Sequence, residues 1–321
     1  MSAPSASQLR QILTRAAPLL GVLIAVLLFS ALLPDRFLSL YNARTVATQT
    51  VIVALGAIGM TYVMGSGGID LSVGSVIALA SIVTALVLRD GGTPGTALLA
   101  GVATGALAGA FNGLLVTRLK IVPFIVTLGT MGIARGIAKY LANEQTVNAP
   151  AGWLAELMRK TPSPQWLVFS RGAWITLLLA LLMAFVLRRT VLGVHVLAVG
   201  SNEATARLCG VRVDRVKVIV YVIGGLFAGL AGVMQFGRLT VGDPTTALGL
   251  ELDVIAAVVI GGGSLSGGRG SIAGALLGAF FMAVLANGCT LAGVPNYVQE
   301  IVVGAIIVLA VAIDRLRREG A

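Results

Sequence analysis

Apolar stretches about as long as a membrane is thick, separated by short polar segments, recur along the whole chain. An α-helix needs about 20 apolar residues to cross the roughly 30 Å hydrocarbon layer of a bilayer. The pattern predicts ten membrane spans, several of them short, at residues 18–33, 46–65, 71–88, 96–117, 121–141, 173–187, 218–237, 252–265, 272–291 and 297–313. We therefore expect an all-α fold, a polytopic transmembrane helical bundle in which residues 1–321 form a single domain.

A glycine-rich segment interrupts the apolar pattern twice. Residues 65–75 read Gly-Ser-Gly-Gly-Ile-Asp-Leu-Ser-Val-Gly-Ser, and each glycine would cost stability in a helix interior. A shift of 196 residues places four of these positions on identical residues: Gly65 on Gly261, Gly67 on Gly263, Gly74 on Gly270 and Ser75 on Ser271. This weak internal repeat predicts a pair of broken spans, and such pairs point to a transport pathway.

Six residues in the two breaks are candidates for the lining of that pathway: Gly67, Gly68, Asp70, Ser72, Gly263 and Ser264. A carboxylate within apolar sequence is costly unless it has a partner or a function. An ionised Asp70 only accepts hydrogen bonds, so it suits a solute rich in hydroxyl groups. Asp70 or Ser72 also suits the N-cap of a helix that begins near residue 71, and the sequence leaves both interpretations open.

Composition supports the membrane assignment. Hydrophobic residues make up 57% of the chain and charged residues 11%, with a mean hydropathy of +0.96, whereas soluble domains hold about 25% charged residues. The net charge of +10 comes from basic residues scattered through apolar sequence, so we expect no nucleic-acid partner.

Basic residues accumulate on the cytoplasmic side of bacterial membrane proteins. Both ends of the chain are basic, and an even number of spans places them on the same side. We therefore expect both termini in the cytoplasm, with the terminal residues Arg10, Arg15, Arg315, Arg317 and Arg318.

The charged loop of residues 188–217 has room for a docking element. Asn202 suits an N-cap, Glu203 places an acid in the first helical turn, and Gly210 suits a C-terminal stop. We expect a short helix between them. It either binds a partner or merely links two spans as a solvated helix.

This loop and four other segments carry a resemblance to one family. In the loop the matching residues are Gly200, Asn202, Glu203, Ala204, Arg207 and Gly210, and the other segments are residues 65–74, 112–117, 123–131 and 251–270. In this order, between about residue 46 and the C-terminus, they resemble the permease subunits of ribose-type sugar ABC importers, in the branched-chain amino acid/ribose permease family.

The resemblance implies a transmembrane permease of the bacterial inner membrane. Two permease copies, surrounded by membrane lipid, would form the path of a monosaccharide, with cytoplasmic ATPase subunits inside and a periplasmic sugar-binding protein outside. The six loop residues would couple the permease to the ATPase. Glu251 and Asp253, which precede the second break, would form an outer gate or contact the binding protein, although acids at a plain helix start explain them equally well.

Other functional classes compete with this interpretation. An ion-coupled secondary transporter for a small polar solute would also use paired breaks, but it needs buried ionisable residues, and Asp70 is the one good candidate. An enzyme is not expected, because the single histidine, His195, lies in the charged loop, away from Ser264.

Metal and nucleotide sites are not expected either. A lone imidazole without nearby ligands argues against a metal site. No lysine follows a glycine as in the Gly-x-x-x-x-Gly-Lys loop that binds ATP phosphates. We therefore expect no cofactor in this chain and ATP hydrolysis on a separate partner.

Overall fold

The computed structural model describes residues 6–319, with side chains from residue 18 to 309 and at residue 312. The five terminal arginines on which the expected position of the termini rests, Arg10, Arg15, Arg315, Arg317 and Arg318, lie outside the described side chains. Within the described part the chain is predominantly helical, as the apolar pattern predicts.

The helices of this part of the chain are α1 (Ala6–Leu32), α2 (Pro34–Phe37), α3 (Leu40–Gly65), α4 (Val73–Arg89), α5 (Pro94–Arg118), α6 (Pro123–Leu141), α7 (Trp153–Leu157), α8 (Arg171–Arg189), α9 (Val191–Ser201), α10 (Glu203–Leu208), α11 (Val213–Leu239), α12 (Leu250–Ile260), α13 (Ile272–Leu291) and α14 (Asn296–Glu319). A 3-10 turn covers Gln165–Leu167. Two short strands, β1 (Val147–Asn148) and β2 (Val241–Gly242), pair antiparallel.

Each of the ten predicted spans coincides with a helix: α1, α3, α4, α5, α6, α8, α11, α12, α13 and α14. Five of the described helices, α3, α5, α8, α11 and α13, are long and apolar enough to cross a membrane. Helix α12 ends at Ile260, five residues before the predicted end, because the glycine-rich break begins there and Gly262 is left-handed (φ 87°). Helix α9 was not predicted, since charged residues on both sides made its apolar sequence look like part of a loop.

Helix α3 lies at the centre of the bundle. Every residue from Val51 to Gly65 is buried, and α8, α11, α12 and α13 all contact this helix. A helix that is apolar on all sides is the kind that a bundle encloses. Because α3 ends in the first break, while α12 and α13 flank the second, the packing around α3 brings the two breaks into one region.

Glycines let α5 and α11 pack backbone against backbone. A Cβ atom added to Gly105 would overlap the carbonyl oxygen of Gly225 and lie 2.5 Å from the Cα atom of Gly229. Small residues at helix contacts in membranes permit this close approach and the dispersion contacts that hold the helices together. The contact fixes α5, which contributes Asn112 to the site described below.

We expect Gly105→Leu to lower the stability of the bundle, because the new side chain has no space between α5 and α11. Overpacking of this kind typically costs about 1–3 kcal/mol. The matched control is Gly95→Leu on the same helix, where the nearest atom to an added Cβ, Thr93 Oγ1, is 3.9 Å away. The measurement is the apparent melting temperature of the detergent-purified protein, and equal values for the two variants would contradict this account of the packing.

Candidate translocation breaks and coupling loop

The first break runs from the end of α3 to the start of α4. The chain turns back at Gly67, which is left-handed (φ 84°), and the Gly68 N–H donates to the carbonyl of Val63 at 3.0 Å. A Cβ atom on Gly68 would lie 2.6 Å from the hydroxyl oxygen of Tyr221 in α11. The backbone of the break therefore passes directly against a buried tyrosine, and only glycine fits there.

Asp70 is buried, with 3% of its surface exposed, and its carboxylate is engaged within the break. Its Oδ1 atom accepts hydrogen bonds from the Ser72 backbone N–H at 2.8 Å and from the Ser72 hydroxyl at 2.6 Å. Side chains of this type form such local turns at helix starts. Asp70 thus shapes the turn that leads into α4, whereas Ser72 holds the N-cap position and its side chain forms no capping hydrogen bond with the helix.

The Ser72 hydroxyl continues a buried chain of hydrogen bonds into two other helices. It accepts from Asn112 Nδ2 in α5 at 3.0 Å, and Asn112 Oδ1 accepts from the Thr130 hydroxyl in α6 at 2.6 Å. Polar groups in a membrane interior need such partners, because water is scarce there. The sequence analysis missed Asn112 and Thr130 as site residues, although both lie in segments that carried the family resemblance.

The second break, between α12 and α13, forms a compact loop. Gly263 and Ser264 are buried, and the Ser264 backbone N–H donates to the carbonyl of Arg269 at 3.3 Å. The Ser264 hydroxyl accepts from the backbone N–H of Ser266 at 3.3 Å. At the far side Ser271 caps α13 by accepting from the Gly274 N–H. The loop therefore satisfies much of its backbone internally.

Three separate parts of the chain meet at Gly65, Gly67, Gly200, Gly267 and Gly268, which we call the glycine junction. The Gly268 N–H of the second break donates to the carbonyl oxygen of Gly65, at the edge of the first, at 3.0 Å. A Cβ atom on Gly200, at the end of α9, would overlap that same oxygen. One on Gly267 would lie 2.8 Å from Gly67 Cα and 2.9 Å from Gly200 Cα. The charged loop thus contacts both breaks through bare backbone.

The short helix expected in the charged loop is present as α10. Asn202 caps it, since its Oδ1 atom accepts from the Thr205 N–H at 2.8 Å. The helix stops before Gly210, which is left-handed (φ 84°). Ala204 and Arg207 lie on its exposed side, together with Leu208, whose side chain is 89% exposed. Leu208 shares a surface depression with Glu203, Ala204 and Arg207, and no local sequence signal marked it.

Ion pairs tie α10 to the start of α11. Glu203 Oε2 lies 2.6 Å from Lys217 Nζ, and Glu203 Oε1 lies 3.3 Å from Arg207 Nη2. Arg207 also pairs with Asp214 at 3.2 Å. The hydrogen bond from Lys217, helped by Arg207, lowers the pKa of Glu203 below its ordinary value. Glu203 therefore orients α10, a role that depends on Lys217, which sequence reasoning did not pair with it.

Residues 242–249, which precede α12, run along α4 into the bundle. They start at the end of α4 that contacts β1 and β2. Gly242 packs on Ala85, whereas the Ala247 carbonyl lies against Gly74, near the start of α4. Eleven helical residues separate these two contacts, so the segment descends about 16 Å along α4. Arg135 Nη1 holds it by donating to the carbonyls of Pro244 and Thr246, each at 2.8 Å.

Both acidic residues at the start of α12 are half-buried. A Cβ atom on Gly74 would overlap Glu251 Oε2, so Glu251 lies beside the start of α4, and its carboxylate interacts electrostatically with Arg135. Asp253 lies half a turn further along α12. Among the described residues neither acid forms an ion pair with Arg238, and no group of three or more His, Cys, Asp or Glu side chains has the arrangement of a metal site.

Comparisons with known proteins agree with this architecture. The family model described as branched-chain amino acid transport system / permease component matches residues 42–311. Two relatives named ribose import permease protein RbsC, from Escherichia coli (strain K12) and Bacillus subtilis (strain 168), are each 38% identical. The alignment with the Escherichia coli protein covers 94% of this chain and 93% of that protein. The alignment with the Bacillus subtilis protein covers 95% of this chain and 94% of that protein.

The name of a further relative refers to a different sugar. The L-arabinose ABC transporter permease protein AraH of Azospirillum brasilense is 34% identical over 96% of this chain and 89% of its own length. No solved structure matches the chain. The similarity to named import permeases thus extends over nearly the whole sequence.

We expect the attachment of α10 to α11 to weaken in acid. A carboxyl whose pKa is lowered on folding stabilises the fold fully above its unfolded value, here 4.5, and this contribution is lost as the pH falls through the lowered pKa. Amide hydrogen exchange of residues 203–208 is measured from above pH 4.5 to below it and corrected for the pH dependence of intrinsic exchange rates. Protection of these amides should fall in acid. Lys217→Gln should reduce that pH dependence, and an unchanged profile in this variant would contradict the assignment.

Proposed function

The chain belongs to the branched-chain amino acid transport system permease family, and from this premise we propose that it is the membrane subunit of a bacterial ATP-driven importer for a monosaccharide. The family and the named relatives make it a transport subunit and not an enzyme. The names of the relatives, which include ribose and L-arabinose permeases, support a sugar as the substrate. ATP hydrolysis would take place on separate cytoplasmic ATPase subunits.

The glycine junction is the observation that carries this proposal. A cytoplasmic ATPase that docks on α10 would move α9, and the backbone of α9 at Gly200 contacts both breaks. Packed interiors are dense and transmit displacement with little compression. ATP-driven motion would therefore reach both breaks through Gly200, while Asn202, Glu203, Ala204, Arg207 and Gly210 shape the docking helix.

The two breaks would form the inner part of the translocation pathway. Gly67, Gly68, Gly263 and Ser264 provide backbone and one hydroxyl at the points where the helices are interrupted. Asp70 and Ser72 hold the first break in shape through their mutual hydrogen bonds. We place Glu251 and Asp253 at a gate on the outer side of the two breaks, because the segment that descends from the β1–β2 end brings Glu251 against Gly74 at the edge of the first break. A periplasmic sugar-binding protein would deliver the substrate to that side.

A second copy of the chain would complete the pathway. Helix α6 presents Gly129, Gly132 and Gly136, and apart from the neighbouring backbone of α6 itself no described atom lies within 4 Å of a Cβ added at any of them. Membrane helices use such small residues for close contact with a neighbour. We therefore propose a homodimer in the inner membrane, with α6 at the interface and with both termini in the cytoplasm.

An ion-coupled secondary transporter is the second candidate, favoured only by the burial of Asp70. Such a carrier would use this carboxylate to bind an ion, yet Ser72 already engages it. Uptake into proteoliposomes separates the two classes, because an importer requires ATP and its partner subunits, whereas a carrier transports with an ion gradient alone.

We expect Leu208→Asp to release the ATPase from the permease. Truncation of a central apolar anchor commonly costs about 2 kcal/mol, which is roughly thirtyfold in affinity. The measurement is recovery of the ATPase when the tagged chain is purified from its native host in mild detergent. Leu119→Asp, at another exposed leucine next to the end of α5, is the matched control.

Glu203→Arg should also weaken recovery of the ATPase, because it places three cations, with Arg207 and Lys217, around the base of α10. Folding and membrane insertion should stay intact. Undiminished ATPase recovery with both Leu208→Asp and Glu203→Arg would contradict the coupling role of α10. An absence of any ATPase from the wild-type preparation, together with uptake driven by an ion gradient, would contradict the proposed function itself.

A further inference from the structure

An apolar groove opens between α1, α2, α3, α8 and α13, and we call it the outer groove. It has a volume of about 560 Å³ and is lined mostly by apolar side chains, together with the polar residues Ser39, Asn42, Thr50 and Thr176. Representative lining residues are Val26, Phe37, Val46, Ala47, Leu177 and Phe280. It takes no part in the breaks, the glycine junction or the coupling helix.

The dimensions of the groove match one lipid chain. Its lining extends from Ser39, the N-cap residue before α3, to Ala54 within α3, which is about 22 Å along a helix axis. One leaflet of a bilayer contributes about 15 Å of hydrocarbon, with the headgroup region beyond it. The groove therefore reaches from the membrane surface to about the middle of the bilayer.

Aromatic side chains mark the membrane surface at the mouth of the groove. Tyr41, Trp166 and Trp174 are exposed at or near the starts of α3 and α8. Tyrosine and tryptophan are enriched at the boundary between lipid and water. Phe37 and Phe169, which line the groove, lie in the same two parts of the chain, so the mouth lies at this boundary.

The mouth is also basic. Residues 35–44 and 159–174, which supply it, contain five basic residues and one acid, Asp35. Arg159 pairs with Glu156, whereas Arg36, Arg44, Lys160 and Arg171 form no ion pair among the described residues. The Arg44 Nε–H donates to the carbonyl of Val168 at 2.8 Å, beside the groove residue Phe169. Lys160 Nζ lies 5.2 Å from the centre of the Tyr41 ring.

We propose that the outer groove binds a phospholipid with an anionic headgroup from the outer leaflet. One acyl chain fills the groove, and the phosphate lies among Arg36, Lys160 and Arg171. The four unpaired basic residues lie on the side of the membrane where the proposed topology predicts few cations, and an anionic headgroup explains their position. This inference goes beyond the proposed function and rests on the chain being embedded in a membrane in the proposed orientation.

Native mass spectrometry of the purified permease complex tests the proposal with two added lipids of equal chain length, phosphatidylglycerol and phosphatidylcholine. The wild type should retain about one phosphatidylglycerol per permease chain in preference to phosphatidylcholine. Ala47→Phe fills the groove and should abolish this retention. Ala103→Phe, at an exposed position on α5, is the matched control and should leave it unchanged.

A second set of variants distinguishes the contribution of the lipid headgroup from that of the acyl chain. Arg36→Gln combined with Lys160→Gln should weaken phosphatidylglycerol binding about fivefold for each charge removed and leave phosphatidylcholine binding unchanged. Lys139→Gln at the end of α6 is the control.

Three results would overturn the proposal. One is equal retention of both lipids by the wild type. Another is unchanged phosphatidylglycerol retention in both Ala47→Phe and the double charge variant. The third is a loss of permease dimer in Ala47→Phe with lipid retention preserved, which would assign the groove to a second copy of the chain.

Discussion

Backbone contact at the glycine junction is the constraint on which the rest of the structure depends. Gly200 touches the carbonyl of Gly65, and Gly267 touches Gly67 and Gly200, so that any side chain at these points would push the segments apart. The glycines serve close packing as much as turning. Because the contact joins the charged loop to both breaks, a force on the loop has a short mechanical route to the pathway.

A second constraint comes from the membrane, which requires broken helices to satisfy their own polar groups. The first break does so through Asp70, Ser72, Asn112 and Thr130, a buried chain of hydrogen bonds that reaches α5 and α6. The second break does so largely through its own loop and through the Gly65 carbonyl. The two breaks are related in sequence but use different chemistry, since Ser266 replaces the aspartate at the position that corresponds to Asp70.

The apolar pattern predicted ten of the fourteen described helices, because hydrophobic length is a local property that each span shows by itself. It missed α9, whose apolar sequence lies within a charged loop, and it placed the end of α12 too late. The candidate residues of the breaks and of α10 came from local signals such as glycine, caps and charge. The partners Lys217, Asn112 and Thr130, and the meeting of Gly200 with both breaks, depend on how distant segments pack, and no local pattern contains that information.

The most direct test of the account asks whether the coupling loop and the second break move as one body. Cys209, which is exposed beside α10, and a cysteine introduced by Ser266→Cys carry spin labels, with Cys289 replaced by serine. Pulsed electron paramagnetic resonance then measures their separation in the reconstituted transporter without nucleotide and with ATP bound. The account predicts that the distance between the labels at residues 209 and 266 is the same in both states within about 2 Å. The distance between residue 266 and a label at Leu248→Cys, near the start of α12, should differ between the two states. A larger change between residues 209 and 266 would contradict it.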